Sequence, residues 1–383
     1  MRRFFHLAHL SAGFIAVLVG YTSSAAIVFQ AATAAGAEAA HLASWLLALG
    51  LGMGATCIGL SLRYRSPVLT AWSTPGAALL GTALIGVPMG EAVGAFLFAS
   101  TLMAVLGFTG GIEHLIKHVP KALAAAMLGG VLVRFGLGVF TALQSSLVLV
   151  AAMLVVYFAG RRWNSRYTIP WTLLCGLAVA GFAGQIHLDA IHWAPAAPVF
   201  VAPVFSVSTI VGVGIPLFIV TMASQNVPGI AVLRANGYTT PASPLIGWTG
   251  VTGMALGAFG GFQFNLAAIT AAICMSPEAD QDPQRRYLAA VWAGVFYVLT
   301  GLLGATVASV FGALPPGLVA AISGIALFGT IGNSLTAALG EERSREAALV
   351  TFLVTASGLT LAGIGSAFWG LLAGLAVNWA LRR

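Results

Sequence analysis

Long apolar runs broken by short polar or glycine-rich punctuation fill almost the whole chain, at about 10–33, 39–61, 67–86, 90–111, 120–140, 144–160, 168–187, 206–233, 242–259, 262–277, 286–311, 315–338, 346–362 and 364–381. Most of these fourteen runs approach or exceed the ~20 apolar residues that a helix needs to cross a bilayer. The third and tenth differ. Each contains a polar or glycine-rich break, Ser73-Thr74-Pro75-Gly76 and Phe262-Gln263-Phe264-Asn265, followed by a short helical stretch. Thr74 suits an N-cap and Pro75 the first helical position, where its missing N–H costs nothing. Asn265 can cap Leu266, Ala267 and Ala268 in the same way. From Thr74 to Pro88, and from Asn265 to Pro277, there are only ~12 to 14 residues, or about 20 Å of helix. A bilayer core is ~30 Å thick, so both helices are predicted to begin near the midplane. The stretches before them, Val68–Ser73 and Gly261–Phe264, are predicted as short crossing strands whose backbone groups pair with each other at depth.

The two breaks stand in matching places. Their offset, 265 − 74 = 191, is half of the 383 residues, and Pro120 and Pro315, each opening a long apolar run, are offset by 315 − 120 = 195. The chain therefore reads as two diverged repeats. A helix that starts inside a membrane has unpaired N–H donors and a partial positive charge there. Two such starts in corresponding positions of the two halves point to the binding site of a secondary transporter.

Composition agrees with this architecture: 59% hydrophobic residues, 7% charged residues and a mean hydropathy of +0.97 describe an integral membrane protein without a separate soluble domain. Arg2 and Arg3 before the first run resemble a signal-peptide n-region, but no convincing cleavage site follows, and that run is read as the first helix. With an even number of spans, sixteen of the seventeen cations fall on one face: Arg2, Arg3, Arg63, Arg65, Lys117, Lys121, Arg161, Arg162, Arg166, Arg234, Arg285, Arg286, Arg343, Arg345, Arg382 and Arg383. That face is expected to be cytoplasmic, with both termini on it. The remaining cation, Arg134, falls within the fifth run, toward its outer half. The net charge of +7 thus reflects orientation in the bilayer and not nucleic-acid binding.

Cys57, Cys175 and Cys274 stand singly in apolar runs, so neither a disulfide nor a metal site is expected. The glycine run from Gly50 to Gly54 lacks the Lys-Ser/Thr ending of a phosphate loop and reads as close helix packing. His114 and His118, spaced i, i+4 beside Lys117 and Lys121, read as an interfacial amphipathic stretch.

Polar residues inside the runs are few. The first run carries Tyr21-Thr22-Ser23-Ser24 and Gln30. The eighth carries Ser224, Gln225 and Asn226 just before Pro228, whose missing N–H frees a carbonyl of the preceding turn. Taken singly, each is explained by hydrogen bonding between helices; taken with two half-helix starts, they imply a shared polar cavity. Trp72, Phe262 and Phe264 flank those starts and could hold a planar ligand, core packing being the alternative for each. No carboxylate lies near the middle of any run: Glu38, Glu91 and Asp189 fall at outer ends and the others on the arginine-rich face. His41 and Glu91 could act from the outer side, a solvated helix end being the plainer role.

Three motifs carry a resemblance over the whole chain. Gly20-Tyr-Thr-Ser-Ser-Ala-Ala-Ile-Val-Phe-Gln30, Trp72-Ser-Thr-Pro-Gly-Ala-Ala78 and Ala223-Ser-Gln-Asn-Val-Pro-Gly-Ile-Ala-Val-Leu-Arg-Ala-Asn-Gly-Tyr238 resemble the benzoate/proton symporter (BenE-type) family of bacterial inner membranes. The resemblance implies an all-α membrane fold similar to uracil permeases and sulfate-type anion transporters, with fourteen segments in a 7+7 inverted repeat and two half-helices preceded by short strands. It implies a core domain of residues 1–118 and 206–311 and a gate domain of residues 119–190 and 312–383. In the nucleobase relatives a glutamate on the eighth segment holds the ligand. Gln225 stands at the best-matching position here, which suits an anionic ligand and leaves the proton-coupling residue open, the proton travelling with the substrate or through an outer carboxylate such as Glu91.

The expected function is import of benzoate or a similar aromatic carboxylate, with protons, by alternating access. The expected site joins backbone N–H groups near Gly76 and Leu266, hydrogen bonds from Thr74, Ser224, Gln225, Asn226 and Asn265, a wall of Tyr21, Ser23 and Ser24, and ring contacts from Trp72 and Phe264. The rivals are a nucleobase or inorganic-anion transporter of the same fold and an anion channel. No cofactor, metal or nucleic acid is expected, no motif of an intramembrane enzyme is present at depth, and a monomer or homodimer are both compatible with the glycine-rich gate helices.

Overall fold

A computed structural model describes residues 7–111, 120–163, 168–362 and 364–381. The expectations for Arg2, Arg3, His114, Lys117, His118, Arg166, Arg382 and Arg383 lie outside the described residues. Among the described residues, fifteen helices longer than a single 3-10 turn and one two-stranded sheet follow in order. The first half holds α1 (Leu7–Ala34), α2 (Ala39–Tyr64), β1 (Thr70–Trp72), α3 (Thr74–Ala83), α4 (Met89–Thr109), α5 (Lys121–Ser145), α6 (Leu147–Trp163) and α7 (Thr168–Phe182). The second holds α8 (Val207–Ala235), α9 (Ala242–Leu256), β2 (Phe264–Leu266), α10 (Ile269–Met275), α11 (Tyr287–Leu302), α12 (Gly304–Ala313), α13 (Pro316–Leu339), α14 (Arg345–Ser357) and α15 (Ser366–Ala380).

Each predicted apolar run contains helix, but the lengths divide. Helices α1, α2, α4, α5, α8 and α13 are long and apolar enough to cross a membrane by themselves. The others have between 7 and 17 residues. The eleventh run, read as one span, is bent by 67° between α11 and α12. The reason is visible at the bend, where the Leu302 carbonyl accepts a hydrogen bond from Ala196 N (2.9 Å). Ala196 belongs to an extended strap, residues 191–205, that lies across the ends of several helices. Its amides also pair with Thr306 Oγ1, Ser44 Oγ, the Ala258 carbonyl and the Gly90 carbonyl.

Polar residues remain helical where their hydroxyls bond back along the helix. In α1, Thr22 donates to the Leu18 carbonyl (2.8 Å), and Ser23 and Ser24 both donate to the Gly20 carbonyl (3.0 and 2.8 Å). The run Gly50–Gly54 packs as expected. A Cβ on Gly50 would lie 2.5 Å from the Gly301 Cα, and one on Gly54 would lie 2.8 Å from the Gly294 carbonyl, so α2 and α11 touch backbone to backbone.

Strands β1 and β2 pair antiparallel, with Thr70 opposite Leu266, Ala71 opposite Asn265 and Trp72 opposite Phe264. Bonds from Ser73 N to the Gln263 carbonyl (3.2 Å) and from Ala267 N to the Leu69 carbonyl (2.9 Å) extend the ladder. A two-stranded ribbon has two open edges, which an apolar interior cannot leave unpaired. Helix α2 covers the β1 edge: Ser61 Oγ, Cys57 Sγ and Met53 Sδ accept the amides of Val68, Thr70 and Trp72, each at 3.1 Å. The match is geometric, since four helical residues rise ~6 Å and two strand residues ~6.6 Å.

Two expectations about this region are corrected. The N-cap of α3 is Ser73, not Thr74: Ser73 Oγ accepts Gly76 N at 3.0 Å, and Thr74 is already helical. Asn265 caps nothing, because residues 264–266 are strand and α10 starts only at Ile269. Pairing with Leu69 to Trp72 holds the chain extended three residues longer than the cap pattern predicts.

Buried apolar side chains form one large core, which joins α1–α4 and α8–α11 to the first two-thirds of α5, and a smaller one among the end of α5, α6, α7 and α13. Helix α2 packs on α11, α4 on α9, α5 on α13, α6 on α7, and α14 on α15.

Candidate functional site

The ribbon β1–β2 sets the two short helices pointing away from a common centre. Beside it runs α8, which contains two π turns, Ile210–Gly214 and Met222–Asn226, each just ahead of a proline. Pro216 and Pro228 have no N–H to give, and the wider turns let Ile215 N reach the Ile210 carbonyl and Val227 N the Met222 carbonyl. Helix α8 thus continues through both prolines. The second π turn, which packs on β2 and α5, carries Ser224 and Gln225.

Between these elements and helices α5 and α13 lies a cavity of about 970 Å³. Its deep part is lined by Gly20, Ser23 and Ser24 of α1, Met53 of α2, Ala71 and Trp72 of β1, Thr74 and Pro75 of α3, Phe218, Ser224 and Gln225 of α8, Thr270 and Ile273 around α10, and Tyr297 of α11. Toward one end the lining passes to Lys121 and Ala125 of α5, Arg161 of α6, and Thr330, Asn333 and Ala337 of α13. Among the described residues no carboxylate lines it. Among the described residues the side chains of Thr74, Gln225 and Thr270 make no hydrogen bond within the protein, so their polar groups face the cavity unpaired.

Six of the expected site residues therefore meet at one cavity: Ser23, Ser24, Trp72, Thr74, Ser224 and Gln225. Trp72 Nε1 donates to Ser24 Oγ (2.9 Å), which fixes the indole against α1. Tyr21 stands behind it, edge-on at 4.8 Å between ring centres, and does not reach the cavity.

The remaining expected residues support the wall from behind. The Gly76 amide is taken by Ser73 Oγ, and Ser73 Oγ is itself held by Thr221 Oγ1 at 2.7 Å. The Leu266 amide is taken by Asn226 Oδ1 at 2.9 Å, while Asn226 Nδ2 faces the sulfurs of Met103 and Met222. Neither amide is free for a ligand, because a strand edge and a helix start buried this deeply recruit protein partners. Phe264 is fully buried, its ring filling the space over Gly52, and Phe262 packs against Trp45 and Phe96. Asn265 is also buried. Its Nδ2 donates to the Leu266 carbonyl, and Oδ1 has no partner. Gln30 joins α1 to α13 through Ser323 Oγ (3.0 Å). Glu91, at the start of α4, accepts a hydrogen bond from Thr209 of α8 and stands apart from the cavity.

Met53, Phe218, Thr270, Tyr297, Lys121 and Arg161 line the cavity without having been singled out as ligand contacts. Thr270 carries a usable signal, a polar residue in the first turn of a half-helix. Tyr297 carries none, being one aromatic in an apolar run. No cluster of His, Cys, Asp or Glu among the described residues is arranged to hold a metal.

At the arginine-rich end, His9 Nε2 donates to Asp280 Oδ2 at 2.6 Å and ties the start of α1 to the loop after α10. Partial burial of Asp280 works against its charge. The Asp282 amide, the His9 contact and the charge of Arg285 outweigh burial and hold the carboxyl below its usual range. Arg286 closes the same loop by donating to the carbonyls of Asp280 and Met275, each at 2.8 Å.

Residues 3–380 match the family described as BenE, benzoate membrane transport protein. The chain is 49% identical over 365 residues to the inner membrane protein YdcO of Escherichia coli (strain K12), covering 95% of this chain and 93% of that protein. It is 38% identical over 370 residues to the benzoate membrane transport protein of Acinetobacter baylyi (strain ATCC 33305 / BD413 / ADP1), covering 97% and 94%. Among solved structures, that of SLC26A9 superposes with a TM-score of 0.63 at 14% identity over 97% of this chain, which spans 64% of SLC26A9. The transmembrane domain of the cyanobacterium bicarbonate transporter BicA gives 0.60 at 13% identity over 98% of both chains. At these identities the likeness is one of fold.

Proposed function

The chain belongs to the benzoate membrane transport protein family and is a membrane transporter, and from that premise we propose that it carries benzoate or a similar aromatic carboxylate through the cavity between its half-helices, together with protons. The observation that carries this reading is the cavity itself: unpaired polar groups on Thr74, Gln225 and Thr270, apolar faces on Trp72, Met53, Phe218 and Ile273, and no lining carboxylate among the described residues. A planar ring fits the apolar faces and a carboxylate the polar ones, and an anion meets no fixed negative charge. The aromatic faces favour this over a small inorganic anion. Ser23, Ser24 and Ser224 complete the wall, while Asn226, Asn265, Gly76, Leu266, Phe264 and Tyr21 act on the ligand only through the elements they hold.

The same reading takes the fourteen runs as a 7+7 inverted repeat. Its support is the packing: the second run lies on the eleventh, and adding seven to each, modulo fourteen, gives the ninth on the fourth, the α9–α4 pair. Likewise α6 on α7, the sixth and seventh runs, is matched by α14 on α15. Residues 1–118 and 206–311 then form a core and residues 119–190 and 312–383 a gate, with the cavity at their junction and alternating access arising from movement between them. Arg63, Arg161, Arg162 and Arg234 close their helices, whereas Arg286 and Arg345 sit where helices begin, which brings all of them to one face, cytoplasmic in this reading along with both termini. The coupling proton travels on the substrate or through an outer carboxylate such as Glu91, since no carboxylate among the described residues lines the cavity.

The test is uptake of labelled benzoate by proteoliposomes under an imposed pH gradient, with benzoate, uracil and sulfate as competitors. Accumulation driven by the gradient and blocked by benzoate alone is expected. Competition by uracil or sulfate instead would replace the substrate, and voltage-driven current without accumulation would replace the carrier by a channel.

A further inference from the structure

At its arginine-rich end the cavity is lined by two cations from different helices, Lys121 at the start of α5 and Arg161 near the end of α6. Both side chains are exposed, and neither has a carboxylate partner among the described residues. Beside them stand Asn333 and Ala337 of α13, also exposed, whereas Trp72 and Ser24 at the deep end are buried. The two cations thus stand where the cavity meets solvent. Among the described residues no Asp or Glu lines any part of the cavity.

We infer that Lys121 and Arg161 form a cationic collar at this mouth, which concentrates anions there and repels cations, and so sets the affinity that the transporter presents to an anionic cargo from this face. Two unit charges within about a Debye length (~8 Å at physiological salt) of the passage act on every ion that uses it. Low-dielectric walls focus their field beyond what the same charges achieve on an open surface. The collar stands at the exposed mouth, whereas Trp72 and Ser24, which line the cavity with Thr74 and Gln225, are buried. It acts on arrival and departure, so its signature is dependence on charge and ionic strength, not on ring chemistry. Its role in transport rests on the carrier reading above, but the field itself does not.

The experiment uses Thr330→Cys, a half-buried cavity position, in a Cys175→Ser background; Cys57 and Cys274 are fully buried and do not compete. The purified protein in nanodiscs, with both faces accessible, is reacted with a sulfonate-bearing and a trimethylammonium-bearing methanethiosulfonate. The anionic-to-cationic rate ratio is measured with and without Lys121→Gln and Arg161→Gln. At ~0.15 M salt the double substitution is expected to lower that ratio by about threefold or more, each single substitution by part of this, and the effect is expected to shrink as salt rises. Lys121→Arg with Arg161→Lys, which keeps both charges, should retain the ratio. An unchanged ratio in the neutral variants, or an equal fall in the charge-keeping pair, overturns the collar. A retained collar in a protein that does not take up benzoate would remove the aromatic-carboxylate reading and leave the collar standing.

Discussion

Asn226 Oδ1 accepts the Leu266 amide at 2.9 Å, so a side chain of α8 closes the outer edge of β2 just as Met53, Cys57 and Ser61 close that of β1. Gln225, its neighbour in the chain, points the other way and lines the cavity. Adjacent residues on a π turn therefore have opposite duties, and substitution should separate them. Asn226→Leu leaves a buried amide unpaired, which costs about 1–3 kcal/mol. It is expected to lower the thermal unfolding midpoint in detergent while leaving benzoate affinity, measured below that midpoint, within a few-fold. Gln225→Leu is expected to do the reverse. Equal effects of both on stability would show that the two residues share one role.

A carboxylate at position 225 gives a sharper test of ligand charge. Gln225→Glu keeps the size and places an acid on the wall that Thr74 and Thr270 also line, where an anionic cargo would have to approach it. A like charge at ~5 Å and an effective dielectric of ~20 costs about 3 kcal/mol, or roughly a hundredfold in affinity. Apparent affinity for benzoate should fall by that order, and recover in part at a pH low enough to neutralise the new acid. Retained affinity at neutral pH would mean that the carboxylate of the cargo lies elsewhere.

The ribbon and the half-helices were legible because their signals are local. Polar breaks inside apolar runs, a proline at a helix start, and a short distance to the next punctuation require no knowledge of partners. What was not legible came from partners distant in the chain. Asn265 has the composition of a cap, yet pairing with Ala71, almost two hundred residues away, keeps it in a strand. Ser73 outcompetes Thr74 as the cap because Thr221 of α8 fixes its hydroxyl. Phe264 has the character of a ligand contact, but Gly52 of α2 offers it a socket in the core. Lys121 and Arg161 were visible as orientation signals, and only the placement of α5 and α6 brings both to the cavity.

Close helix contact was the expected role of the run from Gly50 to Gly54, and it carries a prediction about stability. A Cβ on Gly50 would meet the Gly301 Cα at 2.5 Å and the Tyr297 carbonyl at 2.6 Å, both backbone atoms that cannot swing aside. Gly50→Ala must force α2 and α11 apart, at about 1–3 kcal/mol. Because α2 also holds the β1 edge and Tyr297 lines the cavity, uptake should fall together with the unfolding midpoint. Gly59, where a Cβ would meet nothing within 4 Å, supplies the control: Gly59→Ala should be neutral or slightly stabilising.

The Asp280 loop makes stability depend on pH in a direction that the contacts decide. Burial disfavours the carboxylate, but the Asp282 amide, His9 Nε2 and Arg285 together hold its folded value below the usual 3.8. A group depressed on folding contributes stability that is complete above its unfolded value and is lost as pH falls through the folded one. Between pH 5 and 8 the contribution is therefore constant, and it declines only below about pH 4. Asp280→Asn removes the charge and should lower the unfolding midpoint near neutral pH by the equivalent of about 1–2 kcal/mol. The gap from the unsubstituted protein should then narrow as pH drops below 4. Thermal unfolding of both proteins in nanodiscs from pH 7 to pH 3 checks this, and a gap that stays constant to pH 3 would assign the loss to packing of the loop and not to the charge of Asp280.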